Sequence, residues 1–192
     1  MAYQDDIKKA AALLLPWNKL SGCNILVTGA TGLIGGCLVD VLMAHKGRNY
    51  NVYASGRNEE RAGRRFLKYA DDNSFHFVKY DVAHPLEYDV NFQYIIHAAS
   101  GAYPEEFIKH PVEVIKGNIN GVDNLMGYGI QHGIKRLLYI SSGEVYGEGD
   151  GRVFTENYSG YVDCTSLRSC YPSSKRAAET LCISYGAEYG ID

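Results

Sequence analysis

The stretch that decides the fold is residues 24–35, which read Asn24-Ile25-Leu26-Val27-Thr28-Gly29-Ala30-Thr31-Gly32-Leu33-Ile34-Gly35. Residues 25–27 form a short apolar run of the kind found in buried parallel strands. Three glycines follow, and an apolar helical pattern begins after them. The sequence therefore predicts a strand, a glycine turn and a helix in succession.

The three glycines meet different steric needs in such a turn. Gly29 permits a tight turn, Gly32 lets a pyrophosphate approach the backbone, and Gly35 lets the helix pack closely on the strand. The helix N-terminus offers free N–H groups to an anion. Since the spacing is one residue longer than the commonest fingerprint, an ordinary turn is the alternative. We expect a dinucleotide, with the contact residues Gly29, Thr31, Gly32, Leu33, Ile34 and Gly35.

The composition is that of an ordinary soluble globular domain. The chain has 192 residues, of which 46% are hydrophobic and 21% charged. The formal net charge is −3 and the basic residues are scattered, which argues against a nucleic-acid partner. No apolar stretch approaches the roughly 18–20 residues that span a bilayer, and the N-terminus lacks a secretory pattern. We expect a cytoplasmic protein with no membrane partner.

The cysteines are interpreted as structural residues. There are five, an odd number, and none form a Cys-x-x-Cys pair. This pattern suits free thiols in a reducing compartment better than disulfides or a zinc site. We therefore expect no metal site. The cysteines are Cys23, Cys37, Cys164, Cys170 and Cys182.

The N-terminal segment, residues 1–20, is predicted to carry a short amphipathic helix. Apolar residues recur at helical spacing as far as Leu15, and Pro16 ends the pattern. Its length favours packing against the rest of the protein over a membrane or partner role. The apolar residues are Ile7, Ala10, Ala11, Leu14 and Leu15. Residues 21–192 are then the dinucleotide-binding domain.

Strand and helix patterns alternate along the remaining chain. This alternation predicts an α/β fold with a doubly wound parallel sheet, helices on both faces, and ligands at the carboxyl ends of the strands. Residues 147–169 are irregular and are interpreted as a substrate-side loop. The predicted strands are 25–27, 51–55, 75–80, 92–97 and 136–141. The predicted helices are 33–44, 58–69, 111–131 and 172–189.

The end of the second strand bears on the choice of cofactor. An acidic residue there binds the adenosine ribose of NAD, whereas an arginine suits the extra phosphate of NADP. Gly56 and Arg57 stand at this point, and the guanidinium could hold a 2′-phosphate bidentately. We expect NAD or NADP, and Arg57 favours NADP. The alternative is that Arg57 is a solvated turn residue and NAD binds without an acidic contact.

The ends of the third and fourth strands supply further candidate cofactor contacts. Asp81 and Val82 suit an adenine: the Asp81 carboxylate would accept a hydrogen bond from its amino group, and Val82 would pack on its ring. Asp is also common in turns, which is the alternative. His97, Ala98 and Ala99 place small residues where the backbone passes close to a cofactor. His97 itself is favoured as a packing residue over a chemical one.

Tyr171 and Lys175 are the candidate catalytic pair. Four residues apart on a helix, they share a face, so that the ammonium can stabilise a phenolate. Ser142, after the fifth strand, could hydrogen-bond the same substrate hydroxyl. Tyr-x-x-x-Lys is frequent by chance in a tyrosine-rich chain, so its position after a dinucleotide turn and a strand-five serine gives it weight.

In combination, these motifs resemble the extended short-chain dehydrogenase/reductase family, the NAD-dependent epimerases and dehydratases of nucleotide sugars. The resemblance covers about residues 22–192. It implies a Rossmann fold with Tyr171 as the base. Lys175 would lower the pKa of Tyr171 and bind the nicotinamide ribose, and Ser142 would hydrogen-bond the substrate hydroxyl. The motifs are the Gly29 to Gly35 turn, Asp81-Val82, His97-Ala98-Ala99, Asn118, Ser141-Ser142, Val145-Tyr146-Gly147, and Tyr171 with Lys175.

The residues beside Ser142 separate the reactions within the family. The 4,6-dehydratases resembled here carry an Asp-Glu pair, whereas this chain has Gly143-Glu144. A lone Glu144 is more similar to UDP-glucuronate decarboxylases, in which oxidation at C4 yields a β-keto acid that loses carbon dioxide. A nucleotide-sugar 4-epimerase and a non-enzymatic NAD(P)-binding sensor are the alternatives, and Glu144 could be a surface acid.

The resemblance also bears on extent and assembly. Family members continue with a further strand and a C-terminal substrate domain, so this chain is interpreted as a fragment truncated before that domain. The family commonly dimerises through the long helix and the Tyr171 helix, which implies a homodimer with a nucleotide-sugar substrate.

Overall fold

In the computed structural model, which describes residues 2–192, five parallel strands form one sheet. The spatial order is β3-β2-β1-β4-β5. The strands are β1 (Asn24–Thr28), β2 (Asn51–Gly56), β3 (Phe75–Lys79), β4 (Tyr94–His97) and β5 (Arg136–Tyr139). The helices are α1 (Ala2–Ala11), α2 (Leu33–Ala44), α3 (Glu59–Phe66), α4 (Pro104–Lys109), α5 (Pro111–Gln131) and α6 (Cys170–Tyr189). This architecture confirms the predicted doubly wound parallel sheet.

β1 is the central strand, and successive strands are added first on one side of it and then on the other. Leu26 pairs with Tyr53 of β2 on one side and with Ile95 of β4 on the other. The chain moves outward from β1 to β3 and then returns to add β4 on the opposite side. In parallel sheets such a reversal opens a crevice beyond the carboxyl ends of the two strands. Here the crevice lies between β1 and β4.

Alternate residues of β1 enter the two cores of the protein. Ile25 and Val27 pack with Val39 and Leu42 of α2 and with Phe66 of α3. The other face of the sheet, which includes Leu26, packs against α5, and α6 extends this layer through contacts with α5 and β5. Both sides of β1 are therefore sealed, as its apolar sequence requires.

The helix in residues 1–20 is shorter than its apolar pattern suggests. It ends at Ala11, after Ile7 and Ala11 have been buried, and residues 13–15 lie exposed in the following loop. The prediction that helical structure continues to Pro16 is wrong. Pro16 disfavours helical geometry in Leu15, the residue before it.

Asp40 of α2 anchors α1 and α3 to the domain. Its side chain is fully buried and bonds to Tyr3 from α1, to Arg65 from α3, and to Lys68 and Tyr69 just after α3. Burial opposes ionisation, but the hydrogen bonds from these partners outweigh it and lower the pKa of Asp40 to about 2. One buried carboxylate on α2 thus fixes the positions of α1 and α3 relative to α2.

The other element boundaries agree with the sequence to within a few residues, with one omission. The long helix is found at Pro111–Gln131 as predicted, and the loop at 147–169 is irregular apart from 3-10 turns. α4 was not predicted. None of the helices within residues 2–192 is both long and apolar enough to cross a membrane.

The glycine turn closes against neighbouring backbone. Gly29 has a φ of +64°, and a Cβ there would stand 2.6 Å from the carbonyl oxygen of Ala98. A Cβ on Gly35 would stand 2.5 Å from the carbonyl oxygen of Gly29. The tight turn and the close packing of helix on strand expected of Gly29 and Gly35 are therefore observed.

Gly35→Ala is expected to lower the free energy of unfolding by about 1–3 kcal/mol, because the new methyl group would overlap backbone that has no room to move. Gly63 lies exposed in α3 with open space around its α-carbon. As the matched control, Gly63→Ala should raise the free energy of unfolding by about 0.5–1 kcal/mol. Urea denaturation measures both, and equal effects would contradict the packing role of Gly35.

Candidate active site

The candidate residues gather at the carboxyl edge of the sheet. The glycine turn follows β1, Arg57 follows β2, Asp81 follows β3, and His97 ends β4. Residues 140–147 follow β5, and α6 begins nearby with Tyr171 and Lys175. A parallel sheet delivers all strand ends to one side, so residues far apart in sequence border one crevice.

Hydrogen bonds and small residues join β1 to β4 at the crevice. Thr28 Oγ1 and His97 Nδ1 share a hydrogen bond of 2.8 Å, and the Ala99 N–H donates to Thr28 Oγ1 at 3.4 Å. Gly29 rests on the backbone of Ala98 and Ala99. The predicted residues Gly29, Ala98 and Ala99 are thus brought together in one cradle.

The cradle suits a pyrophosphate. Gly32 is the N-cap of α2 and has no side-chain capping bond, and Leu33 and Ile34 are exposed at the helix start. The first N–H groups of a helix have no partner within it, so they face outward as donors. Thr31 lies beside Gly56 of β2, where a Cβ would stand 3.5 Å from Thr31 Oγ1.

His97 is buried and neutral at physiological pH. Burial, reinforced by the positive charge of Lys175, lowers the pKa of His97 to about 3. Its Nε2 has no hydrogen-bond partner within residues 2–192, and a Cβ on Gly121 would stand 2.8 Å from it. These contacts agree with the packing interpretation of His97.

Arg57 and Asp81 lie together at the outer end of the crevice. Their side chains form a loose ion pair of 3.9 Å between Arg57 Nη1 and Asp81 Oδ2, and the Arg57 side chain is 80% exposed. Asp81 also accepts from the Ala83 N–H, which is the turn bonding considered as the alternative. The Val82 carbonyl accepts from Asn124 of α5, which fixes this loop on the helix.

Asn118 links the crevice wall to α6. It is fully buried, accepts a hydrogen bond from Ser100 at 2.8 Å, and donates to Ser174 at 2.9 Å. Ser174 neighbours Lys175 in the second turn of α6. Asn118 therefore fixes the helix that carries the candidate pair Tyr171 and Lys175 relative to the loop after β4.

Lys175, the charged member of the candidate pair, is almost completely buried. It is 2% exposed, and its Nζ donates to the Ile140 carbonyl at 2.8 Å. Nζ also lies 4.4 Å from the ring centroid of Tyr139 and 5.8 Å from that of Tyr171. Burial lowers the pKa of Lys175 to about 8, although Glu179 opposes the shift. The end of β5 thus holds the ammonium beside the Tyr171 ring.

Tyr171 is held by a residue that the sequence analysis did not identify. Its ring stacks on Phe107 of α4 with centroids 4.6 Å apart and planes 23° from parallel. Phe107 is itself buried. The stacked pair restricts the direction of the Tyr171 ring, which a tyrosine acting as base requires.

Ser142 and Glu144 lie on the 3-10 turn after β5. Ser142 caps this turn by accepting from the Glu144 N–H at 3.2 Å. Glu144 pairs with Arg168 at 2.6 Å. Within residues 2–192, no hydrogen bond joins Ser142 to Tyr171 or Lys175. The structure therefore pairs Tyr171 with Lys175 and leaves Ser142 and Glu144 on the adjoining turn.

Two arginines also organise this region and were missed. Arg176 donates to the carbonyls of Val145 and Gly160, which ties the turn and the loop to α6. Arg168 pairs with Glu144 and lies over Phe107. The only available signal was their place on either side of Tyr171 and Lys175, which does not reveal partners distant in sequence. No group of three His, Cys, Asp or Glu side chains that could hold a metal occurs in the described residues.

Comparisons with known proteins agree with this geometry. The family model described as "NAD dependent epimerase/dehydratase family" matches residues 25–192. The chain is 36% identical over 175 residues to "UDP-glucuronic acid decarboxylase 6" of Arabidopsis thaliana, covering 90% of this chain and 49% of that protein. The resemblance identified in the sequence is confirmed.

Solved structures show the same fold. A UDP-glucose 4-epimerase from Thermotoga maritima with UDP-glucose is 25% identical, with a TM-score of 0.68 over 88% of this chain and 52% of that one. A UDP-glucuronic acid 4-epimerase from Bacillus cereus in complex with NAD is 23% identical, with a TM-score of 0.67 over 88% of this chain and 54% of that one. The chain spans about half the length of these relatives.

The buried ammonium of Lys175 predicts a distinct pH dependence of stability. Because its pKa is about 8 in the folded protein and 10.5 ordinarily, the unfolded chain binds the extra proton between these values, and stability rises with pH there. Lys175→Met removes this dependence and should raise the free energy of unfolding at neutral pH by about 2 kcal/mol. The advantage should shrink between about pH 8 and pH 10.5. Urea denaturation across this range tests it, with exposed Lys116→Met as control; a constant difference would contradict the burial cost.

Proposed function

The chain belongs to the NAD dependent epimerase/dehydratase family, and from this premise we propose that the intact protein is a nucleotide-sugar enzyme of the UDP-glucuronate decarboxylase type. The relative named above supports the substrate class, since it is a UDP-glucuronic acid decarboxylase. The observation that carries the proposal is the Tyr171 and Lys175 pair, held at the end of β5 beside the crevice.

The residues present suit a nicotinamide dinucleotide. The N-terminus of α2 at Gly32 would hold the pyrophosphate, Asp81 and Val82 the adenine, and Lys175 the nicotinamide ribose. Gly29 packs directly on the backbone of Ala98 and Ala99, which keeps large side chains out of this contact. When bound, the cofactor would supply a reversible hydride acceptor for a sugar carbon.

Tyr171 acts as the base in this proposal. It takes the proton of the sugar C4 hydroxyl as the C4 hydrogen leaves with its electron pair, which yields a ketone at C4. Lys175 stabilises the phenolate, since a nearby cation favours the charged form. Ser142 hydrogen-bonds the same sugar oxygen, and Phe107 holds the Tyr171 ring in place.

Glu144 assists the step that follows oxidation. A glucuronate oxidised at C4 is a β-keto acid, in which the bond from C5 to the carboxyl carbon breaks and carbon dioxide leaves. The electron pair of that bond passes onto the C4 oxygen as an enolate, and a proton then adds at C5 and restores the C4 ketone. Glu144 lies two residues from Ser142 on the same turn, which would bring both groups to one sugar.

Tyr171→Phe in the intact protein is expected to slow turnover of UDP-glucuronate by about 100-fold to 10,000-fold, because the base is lost while the stacked ring is kept. Mass analysis of the sugar product measures the loss of carbon dioxide. The matched control is Tyr189→Phe, an exposed tyrosine at the far end of α6, which should leave turnover unchanged. Normal turnover by the Tyr171 variant would contradict the assignment.

The same assay separates the alternatives when it is run with UDP-, GDP-, CDP- and dTDP-sugars. A product of unchanged mass and inverted C4 configuration would indicate a 4-epimerase. No change in any sugar would indicate an NAD(P)-binding sensor. An intact Tyr171, Lys175 and Ser142 favour an enzyme, because a sensor needs only the turn and the ribose contacts.

We also propose that Arg57 selects between NAD and NADP. The family description supports NAD, whereas Arg57 is free to reach a 2′-phosphate from its exposed position after β2. Arg57→Ala should weaken NADP binding about tenfold relative to NAD, since a charge-assisted bidentate contact is lost. Titration of both cofactors measures this ratio. An unchanged ratio would assign Arg57 to the solvated turn.

A cytoplasmic homodimer completes the proposal. All five cysteines are free thiols, which suits a reducing compartment. α5 and α6 pack side by side and expose apolar side chains, Val112 and Ile115 on α5 and Ile183 on α6, to which a second copy could add its own pair of helices.

A further inference from the structure

Four side chains form a connected row between the turn after β5 and the start of α6. Glu144 Oε1 lies 2.6 Å from Arg168 Nη2. The Arg168 guanidinium carbon lies 4.6 Å from the ring centroid of Phe107, and the same ring stacks on Tyr171. One buried phenylalanine therefore fixes both the candidate base and the arginine that holds the candidate acid.

We propose that Arg168 is a positioning residue that holds the Glu144 carboxylate in its working place. The inference rests on the proposed function, because it assumes that Glu144 assists a step after oxidation. Arg168 belongs to the 3-10 turn that runs into α6, so it shares a rigid element with Tyr171. Glu144 and Tyr171 come from different elements, and Arg168 links their positions.

The exposure of the ion pair argues against a role in stability. The side chains of Arg168 and Glu144 are 49% and 39% exposed, and ion pairs this exposed contribute little to folding. Oε2 of Glu144 has no hydrogen-bond partner within residues 2–192, which leaves this oxygen available to a ligand. The pair thus holds one carboxylate oxygen and leaves the other without a protein partner.

Charge gives the pair a second consequence for an anionic substrate. A glucuronate brings its own carboxylate, which an unpaired Glu144 would repel. The guanidinium cancels this charge, and its contact with the Phe107 ring restricts its movement. Lysine lacks the planar fork, so Arg168→Lys should restore the charge but only part of the orientation.

The test is a double-mutant cycle on carbon dioxide release from UDP-glucuronate by the intact protein. Arg168→Met should lower kcat about tenfold, because it misplaces Glu144 without removing it, and should also raise KM, because the unpaired Glu144 carboxylate repels that of the substrate. Arg168→Lys should lose less. In the Glu144→Gln background, Arg168→Met should cost nothing further, since the group it positions is already gone. The control pair is Arg64 and Glu60 on α3, joined at 3.1 Å, where Arg64→Met should have no effect.

Two results would overturn the inference while leaving the proposed function intact. These are normal kcat for Arg168→Met, or losses that multiply in the double variant. If the wild-type protein releases no carbon dioxide, the proposed function fails and the crystal structure of Arg168→Met decides the inference by itself. A displaced or disordered Glu144 carboxylate supports positioning, and an unmoved carboxylate overturns it.

Discussion

The close approach of β1 and β4 at their carboxyl ends is the constraint on which the rest of the structure depends. Gly29 lies on the backbone of Ala98 and Ala99 at a distance that no Cβ could share, and Thr28 is hydrogen-bonded to His97 just below. The order of the strands reverses at this point, so the gap beyond it is open to a ligand. Because the floor of this gap is made of backbone and small residues, α2 can present its N-terminal N–H groups there.

The arrangement of Tyr171 and Lys175 depends on a second constraint, the burial of Lys175. An ammonium taken from water costs free energy, which its bond to the Ile140 carbonyl and its place over Tyr139 only partly offset, and its pKa falls to about 8. The benefit is a cation held beside Tyr171 on a rigid helix. Asn118 and Arg176 reinforce this arrangement by fixing α6 to the loops after β4 and β5.

The sequence predicted the features that depend on local pattern. The glycine turn, the strands and the 21-residue α5 were predictable because the hydrophobic periodicity or the steric requirement of each is visible in consecutive residues. α4 was not, although Pro104 followed by two glutamates is a helix-start signal, because six residues carry too little periodicity. The contacts of Phe107 with Tyr171 and Arg168 join segments more than sixty residues apart, and no local pattern encodes them. The end of α1 at Ala11 was not predictable from the pattern, because apolar residues at helical spacing continue as far as Leu15.

We expect the crevice between β1 and β4 to receive a dinucleotide over the glycine turn. A crystal structure of the protein grown with saturating NAD checks this. It should show a pyrophosphate within hydrogen-bond distance of the N–H groups that begin α2, and a ribose hydroxyl within reach of Lys175. A dinucleotide bound elsewhere, or an empty crevice at saturating concentration, would contradict it.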